Sequence, residues 1–306
     1  MKPTEEPFYS SFIANAVFNA FSSYTAIMLN SVTIYAIRRT SSLPKPLKTL
    51  LLSVAVSDLG VGLLVQPFII ALLVKLLQQN TTLPYSTLTA FSFFQCLFFY
   101  ASFFGVVAII TDRYLSIHLH LRYRALVTHK RVVAVVISVW IVSAVLSISQ
   151  LWLSPQEKIY VDVVLAIIFG LCFLCTTFFN SRIYFTLRRH RNQLRVLQAQ
   201  QVAQNNHLET IARLIKSAIS TFYIYLVFIV CCLPEYCRLV VSLIRAPAST
   251  FMTVIYLYTW TLAFVNSSPA ESCYLLLEDE PHSTHYHKLT AKHISRTKLK
   301  KNVTGL

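Results

Sequence analysis

Only 13% of the chain's 306 residues are charged, so the few charges set inside long apolar runs are where chemistry can reside. Asp58 is a lone carboxylate in such a run, and a carboxylate buried alone takes up a proton. Asp112 and Arg113 are adjacent at the end of another run, where a permanent cation can pair with its neighbour. Glu235 and Arg238 are three residues apart, which places them on one helix face as an ion pair or as a site for a polar group. Each of these charges is costly in apolar surroundings and therefore a candidate for function. Enzyme chemistry finds no support. The histidines cluster between the apolar runs without metal-ligand spacing, and no nucleophile–base pair is evident.

The elements that position these groups are membrane spans. The chain is 55% hydrophobic, and its charged fraction is about half the roughly 25% usual for soluble domains. Its net charge of +15 has two readings, nucleic-acid binding or the Lys/Arg excess of cytoplasmic loops. Nucleic acid is not expected as a partner, because a basic groove needs a soluble scaffold. A bilayer core about 30 Å thick takes roughly 20 apolar residues per helix, and lipid satisfies no backbone group, so each span must be helical. Seven spans are predicted, at 12–37, 50–74, 85–111, 132–153, 161–184, 217–243 and 246–274. The expected fold is an all-α membrane protein, a seven-transmembrane helix bundle. It comprises an extracellular amino terminus (1–11), the helical domain (12–275) and a cytoplasmic tail (276–306).

Loop charge gives the orientation. Arg38, Arg39, Lys45 and Lys48 follow span one, and Arg122, Arg124, Lys130 and Arg131 follow span three. Arg182, Arg188, Arg189, Arg191, Arg195, Arg213 and Lys216 join spans five and six. The alternate loops carry Lys75, Lys158 and Arg245 singly. Positive loops stay in the cytoplasm, so the amino terminus is expected outside and the chain multi-pass in the plasma membrane. Residues 1–11 are too polar for a cleaved signal, which leaves span one as a signal-anchor. Asn80-Thr81-Thr82 is a glycosylation sequon on an outer loop; those at Asn266 and Asn302 are expected to be silent.

Thr111-Asp112-Arg113-Tyr114 and the following Leu115–Tyr123 resemble the D-R-Y-L-x-I-x-x-P-L-R-Y stretch of rhodopsin-like (class A) G protein-coupled receptors, with His120 at the proline position. Asn30, the stretch Ser53–Leu59 with Asp58, Trp140, Phe228–Pro234 and Val265-Asn266-Ser267-Ser268 resemble that family's marks in spans one, two, four, six and seven. The resemblance implies a receptor that binds an extracellular ligand and engages a heterotrimeric G protein through Asp112, Arg113, Tyr114 and the apolar Leu121. It also implies that Asn30, Asp58, Ser102, Asn266 and Ser267 form a polar cluster able to take an allosteric sodium ion; no other cofactor is expected. Gln95, Cys96, Phe99, Glu235 and Arg238 are the expected ligand-pocket residues. Arg188–Arg195 reads as a face against anionic membrane lipid or as G protein contact.

The departures from the pattern narrow the expectation. The family disulfide has no cysteine at Leu88 or in 154–160, and Cys172 replaces the span-five proline. These features resemble the melanocortin, cannabinoid and lysophospholipid receptor group. Gln95 stands where amine receptors carry an aspartate, which disfavours a biogenic amine as the ligand. Phe68, Leu88 and Ser92 stand where melanocortin receptors carry the acidic residues that bind basic peptide, so that peptide site is expected to be missing. Cys232 replaces the span-six tryptophan, and Pro269–Tyr274 lacks the family's N-P pair. A one-base frame shift after Ser268 permits 271–288 to be read as N-P-x-x-Y and a basic amphipathic helix; genuine divergence is the other reading. The alternative to a signalling receptor is therefore a receptor-like protein with impaired or no signalling. A transporter or channel would want more charge at mid-membrane than Asp58 alone.

Overall fold

The computed structural model describes residues 6–40, 43–78, 84–119, 122–199, 205–244 and 250–266. Among the described residues seven long helices follow one another: α1 (Glu6–Arg39), α2 (Lys45–Leu77), α3 (Tyr85–Leu119), α4 (His129–Trp152), α5 (Pro155–Ala199), α6 (Asn205–Ile244) and α7 (Thr250–Val265). A single helical turn, Tyr123–Leu126, lies between α3 and α4. Six of the helices are long and apolar enough to cross a bilayer, and α7 adds the shorter apolar segment Val254–Val265. No strand occurs among the described residues.

Side-chain placement is inverted relative to a water-soluble bundle. Phe21, Tyr24, Val145, Ile167 and Leu174 are each more than half exposed, whereas Asn15, Asn19, Asn30, Asp58 and Gln66 are buried. Lipid solvates the first set; the second must find partners inside. The chain is a multi-pass membrane protein built as a seven-transmembrane helix bundle.

α3 is the hub and packs against α2, α4, α5 and α6, while α5–α6, α6–α7 and α7–α1 contacts close the ring. Small residues let α2 and α3 approach. A Cβ on Gly60 would fall 2.4 Å from the Phe98 ring, and one on Gly105 would fall 2.5 Å from Val54. Trp140 ties α4 to α2 by donating its indole N–H to Ser53 Oγ at 3.0 Å. Along the middle of the bundle Phe103 meets Phe169 at 4.5 Å and Phe228 at 5.0 Å between ring centroids.

α2 is not uniform: Val61–Val65 forms a π turn, and Gln66 N–H bonds back to the Val61 carbonyl. The Gly62 carbonyl thereby loses Gln66 as a donor, and Pro67 has no N–H to offer. Ser23 on α1 supplies the missing donor, its hydroxyl reaching Gly62 O at 2.8 Å.

Several predicted boundaries shift. α1 starts at Glu6, ahead of the span predicted from residue 12. The outer loop expected over 154–160 is helical, because α5 starts at Pro155. Ser154 and Glu157 explain the early start. Ser154 donates to Glu157 Oε2 from its backbone N at 2.8 Å and from its hydroxyl at 2.7 Å, with Pro155 at the first helical position. These bonds hold the Glu157 carboxyl below its ordinary value. α5 continues to Ala199 and α6 passes through Pro234 without a break. Of the predicted seventh span, 246–249 and 267–274 lie outside the described residues, as does the whole tail.

Candidate functional site

Asp112 and Arg113 lie near the C-terminal end of α3 and are 5% and 7% exposed. Arg113 Nε donates to Asp112 Oδ2 at 3.1 Å, and its Nη2 reaches the same oxygen. The other carboxylate oxygen, Oδ1, accepts from the Tyr123 hydroxyl at 2.7 Å. Tyr123 lies on the helical turn after α3, so the chain folds back to close its own ion pair. Burial, and then the Asp112 charge, push the Tyr123 hydroxyl above its ordinary value of 10.0. Tyr114 turns away from the pair and stacks on Phe179 of α5 at 4.4 Å. Leu121 lies outside the described residues.

Four of the residues expected to form a polar cluster are buried: Asn30 at 3%, Asp58 at 3%, Ser102 at 6% and Asn266 at 4% exposure. They come from α1, α2, α3 and the residue that follows α7. Asn30 Nδ2 donates to the Ala26 carbonyl at 2.9 Å. Ser102 Oγ and Asn266 Oδ1 are buried oxygens without a partner among the described residues. Orphaned buried oxygens of this kind fit a hard cation or an ordered water. Ser267 and the sequon residue Asn80 lie outside the described residues.

At the other end of α3, a cavity of about 200 Å³ opens among α3, α5, α6 and α7. Cys96 of its wall and Arg113 are about 26 Å apart along α3 at 1.5 Å per residue. Four of the five predicted pocket residues line it: Cys96, Phe99, Glu235 and Arg238. Gln95 does not; it is buried beside the cavity, close to the Tyr256 hydroxyl. Arg238 Nε donates to Glu235 Oε2 at 2.8 Å, and Thr259 of α7 donates to the same oxygen at 2.7 Å. The Arg238 guanidinium also lies 5.0 Å from the centre of the Tyr256 ring.

The sequence reading missed Asp162, Gln150 and Trp260, which share this cavity. Gln150 Nε2 donates to Asp162 Oδ1 at 3.0 Å. An acid just inside the predicted fifth span was the available signal for Asp162. Also missed was a polar face on α1, where Asn15 and Asn19 both donate to Thr261 Oγ1 of α7, at 3.1 and 3.0 Å. One helical turn on, Ser22 accepts from Gln66 at 2.9 Å. The spacing of Asn15, Asn19, Ser22 and Ser23 marks one helix face and could have revealed it.

Comparison with known proteins places this geometry. The profile of the 7 transmembrane receptor (rhodopsin family) matches residues 29–159, which include Asn30, Asp58, Ser102 and the Asp112–Tyr114 motif. Adenosine receptor A2b of Gallus gallus is 31% identical over 122 residues, 40% of this chain and 34% of that protein. Adenosine receptor A3 of Ovis aries is 28% identical over 127 residues, 42% of this chain and 38% of that protein. The chain thus spans little more than a third of the length of these adenosine receptors. Melanocortin receptor 3 of Rattus norvegicus is 25% identical over 245 residues, 78% of this chain and 73% of that protein. The matched residues 29–159 and the seven helices in this order thus support a rhodopsin-like (class A) G protein-coupled receptor.

Proposed function

We propose that this chain is a plasma-membrane receptor that passes the binding of an extracellular ligand to a heterotrimeric G protein, with its amino terminus outside and its carboxyl terminus in the cytoplasm. The observation that carries the reading is the closed Arg113–Asp112–Tyr123 arrangement at one end of the bundle, about 26 Å along α3 from a polar cavity. The basic residues Arg38, Arg39, Lys130 and Arg131 lie towards the Arg113 end, which supports placing that end in the cytoplasm.

α6 is the element through which the two ends communicate. It carries Glu235 and Arg238 into the cavity and packs on α3, α5 and α7. A ligand that prefers one placement of α6 shifts the population towards it, by as much as its affinities for the two states differ. Outward movement of α6 opens the floor of the bundle, and Arg113 then leaves Asp112 to meet the G protein. Tyr114 and Leu121 complete that surface, and the exposed Arg188 and Arg189 extend it towards anionic lipid headgroups. Asn30, Asp58, Ser102, Asn266 and Ser267 form the polar cluster between the ends. Asp58 would be the carboxylate ligand of a sodium ion bound there, which would supply positive charge between the two ends. Ser102 Oγ and Asn266 Oδ1 offer oxygens to hold it.

Nucleotide exchange tests the reading. The full chain in lipid nanodiscs is mixed with purified heterotrimers and a labelled GTP analogue. Asp112→Asn is expected to raise ligand-independent exchange about five-fold or more, the effect of about 1 kcal/mol of bias towards the active state. Arg113→Ala is expected to abolish it. Replacing sodium by choline is expected to raise exchange in the natural chain and leave Asp58→Asn unchanged. Exchange no faster than with empty nanodiscs, for the natural chain and Asp112→Asn with every heterotrimer class, overturns the reading.

A further inference from the structure

Two carbonyl oxygens on neighbouring helices are buried without a partner among the described residues: Asn19 Oδ1 of α1 and Gln66 Oε1 of α2. Both residues are fully buried, at 0% exposure. Two acceptors cannot satisfy each other, and a buried acceptor left open is costly. The bonds around them set where these oxygens point. Asn19 Nδ2 donates back along α1 to the Asn15 carbonyl at 2.9 Å and to Asn15 Oδ1 at 3.0 Å. An amide carries its nitrogen and oxygen in diverging directions, so Asn19 Oδ1 is turned away from Asn15, towards the turn that carries Ser22. Gln66 Nε2 donates to Ser22 Oγ at 2.9 Å, which lays the Gln66 amide against that same turn of α1. Ser22 accepts in this bond and keeps its own hydroxyl proton to give.

We propose that Asn19 Oδ1, Ser22 Oγ and Gln66 Oε1 converge on a site between α1 and α2 that takes a single water molecule. The water donates one proton to each carbonyl and accepts the Ser22 proton. Its chemistry matches the open valences: two protons for two acceptors, a lone pair for one donor, and about three bonds in all, as buried waters typically make. A metal ion matches them less well. All three oxygens are neutral, and the nearest carboxylate on either helix, Asp58, is about 12 Å from Gln66 along α2. Size points the same way. One turn before Gln66, a Cβ on Gly62 would fall 3.0 Å from Ile27 and 3.3 Å from Ala26, so α1 and α2 touch there and the occupant must be small. The walls are also fixed, because the π turn of α2 runs up to Gln66 and Ser23 holds its Gly62 carbonyl at 2.8 Å. Thr261 of α7 is tied to the same face of α1 by Asn15 and Asn19. The water therefore completes a polar joint of three helices, at a place where none of them carries a charge.

This inference does not rest on the receptor reading, and its test needs neither ligand nor G protein. The full chain is crystallised from a lipidic mesophase to a resolution that shows ordered water. One density peak is expected within about 3.2 Å of all three oxygens. No peak there, or a peak that reaches only one of the three, overturns the proposal. Thermal unfolding in nanodiscs supplies a second measurement. Asn19 and Gln66 share no hydrogen bond with each other among the described residues, so without a bridging water their losses add. With it, Asn19→Leu combined with Gln66→Leu is expected to lower Tm about as much as the more damaging of the two alone. A drop equal to the sum of the two overturns the shared water. So does a Tm of Asp58→Asn that rises with sodium or potassium and ceases to do so once Gln66→Leu is added, which assigns the site to a metal ion.

Discussion

The two ends of the bundle hold the same device in different settings. At each, an arginine pairs with a carboxylate close by on its own helix, and a hydroxyl from elsewhere caps that carboxylate. At the Arg113 end the hydroxyl is Tyr123, eleven residues along the chain from Asp112. At the Glu235 end it is Thr259, on a different helix, α7. The side chains of the first pair are 8% and 4% exposed, and those of the second 23% and 7%. The difference is instructive. The Arg113 device is capped from a local segment, so the Tyr123 cap can be lost without separating two of the long helices. The Glu235 device joins α6 to α7 beside a cavity, so whatever competes for Glu235 also acts on helix placement.

If burial sets the strength of each device, removing the two carboxylates will have unequal effects. Asp112→Ala removes the carboxylate that Arg113 pairs with in a closed site and is expected to lower stability by about 3 kcal/mol. Glu235→Ala leaves Arg238 beside the cavity and over the Tyr256 ring, where water and the ring face still satisfy part of the charge. Its expected loss is about 1.5 kcal/mol. Thermal unfolding in the same nanodiscs orders the two. A larger loss for Glu235→Ala than for Asp112→Ala breaks the comparison and makes the α6–α7 link the main strut.

What the sequence showed of these devices was their local half. The pairing of Asp112 with Arg113 and of Glu235 with Arg238 follows from spacing along one helix, as did the seven apolar runs and their order. Tyr123, Thr259, Gln150 opposite Asp162, and Ser53 beneath Trp140 depend on which helices become neighbours and in what rotation, and no spacing rule supplies that. The π turn in α2 belongs to the same class, because it needs both Pro67 and the hydroxyl of Ser23 on α1. Other omissions were readable. Ser154-Pro155-Gln156-Glu157 has the capping-box pattern with proline at the first helical position, yet 154–160 reads as a loop if hydropathy alone is followed. The α1 asparagines were passed over because they carry no charge, although their helical spacing marks a buried face.

The capping hydroxyls sharpen the contrast at a smaller scale. Tyr123→Phe and Thr259→Val each remove one hydrogen bond to a carboxylate and are expected to cost about 1 kcal/mol. They differ in pH dependence. The folded chain holds the Tyr123 proton to higher pH than the unfolded chain does. Above the ordinary tyrosine value of 10.0 the unfolded state therefore binds fewer protons, and stability falls as pH rises towards the raised folded value. The stabilisation is fully present below that ordinary value. Unfolding measured from pH 8 to 11 is expected to show a steeper decline in the natural chain than in Tyr123→Phe, and an unaltered decline in Thr259→Val. Equal slopes in the natural chain and Tyr123→Phe remove the tyrosine from the Arg113 device.

The smallest effect separates spacing from burial. Ser154 and Glu157 stand three residues apart, like Glu235 and Arg238, and also join a carboxylate to a local donor, but at the exposed start of α5. Water already solvates this carboxylate, so the bond adds little, and Ser154→Ala is expected to lower Tm by about 2 °C or less. The Glu157 carboxyl is held below its ordinary value of 4.5 by the Ser154 hydroxyl and backbone N–H. Its contribution is therefore present above that value and is lost as pH falls through the folded value beneath it. The Tm gap between the natural chain and Ser154→Ala is expected to be widest near neutral pH and to narrow below about pH 4.5. A gap as large as that produced by Glu235→Ala would mean that three-residue spacing, not exclusion of water, sets the strength of such pairs in this chain.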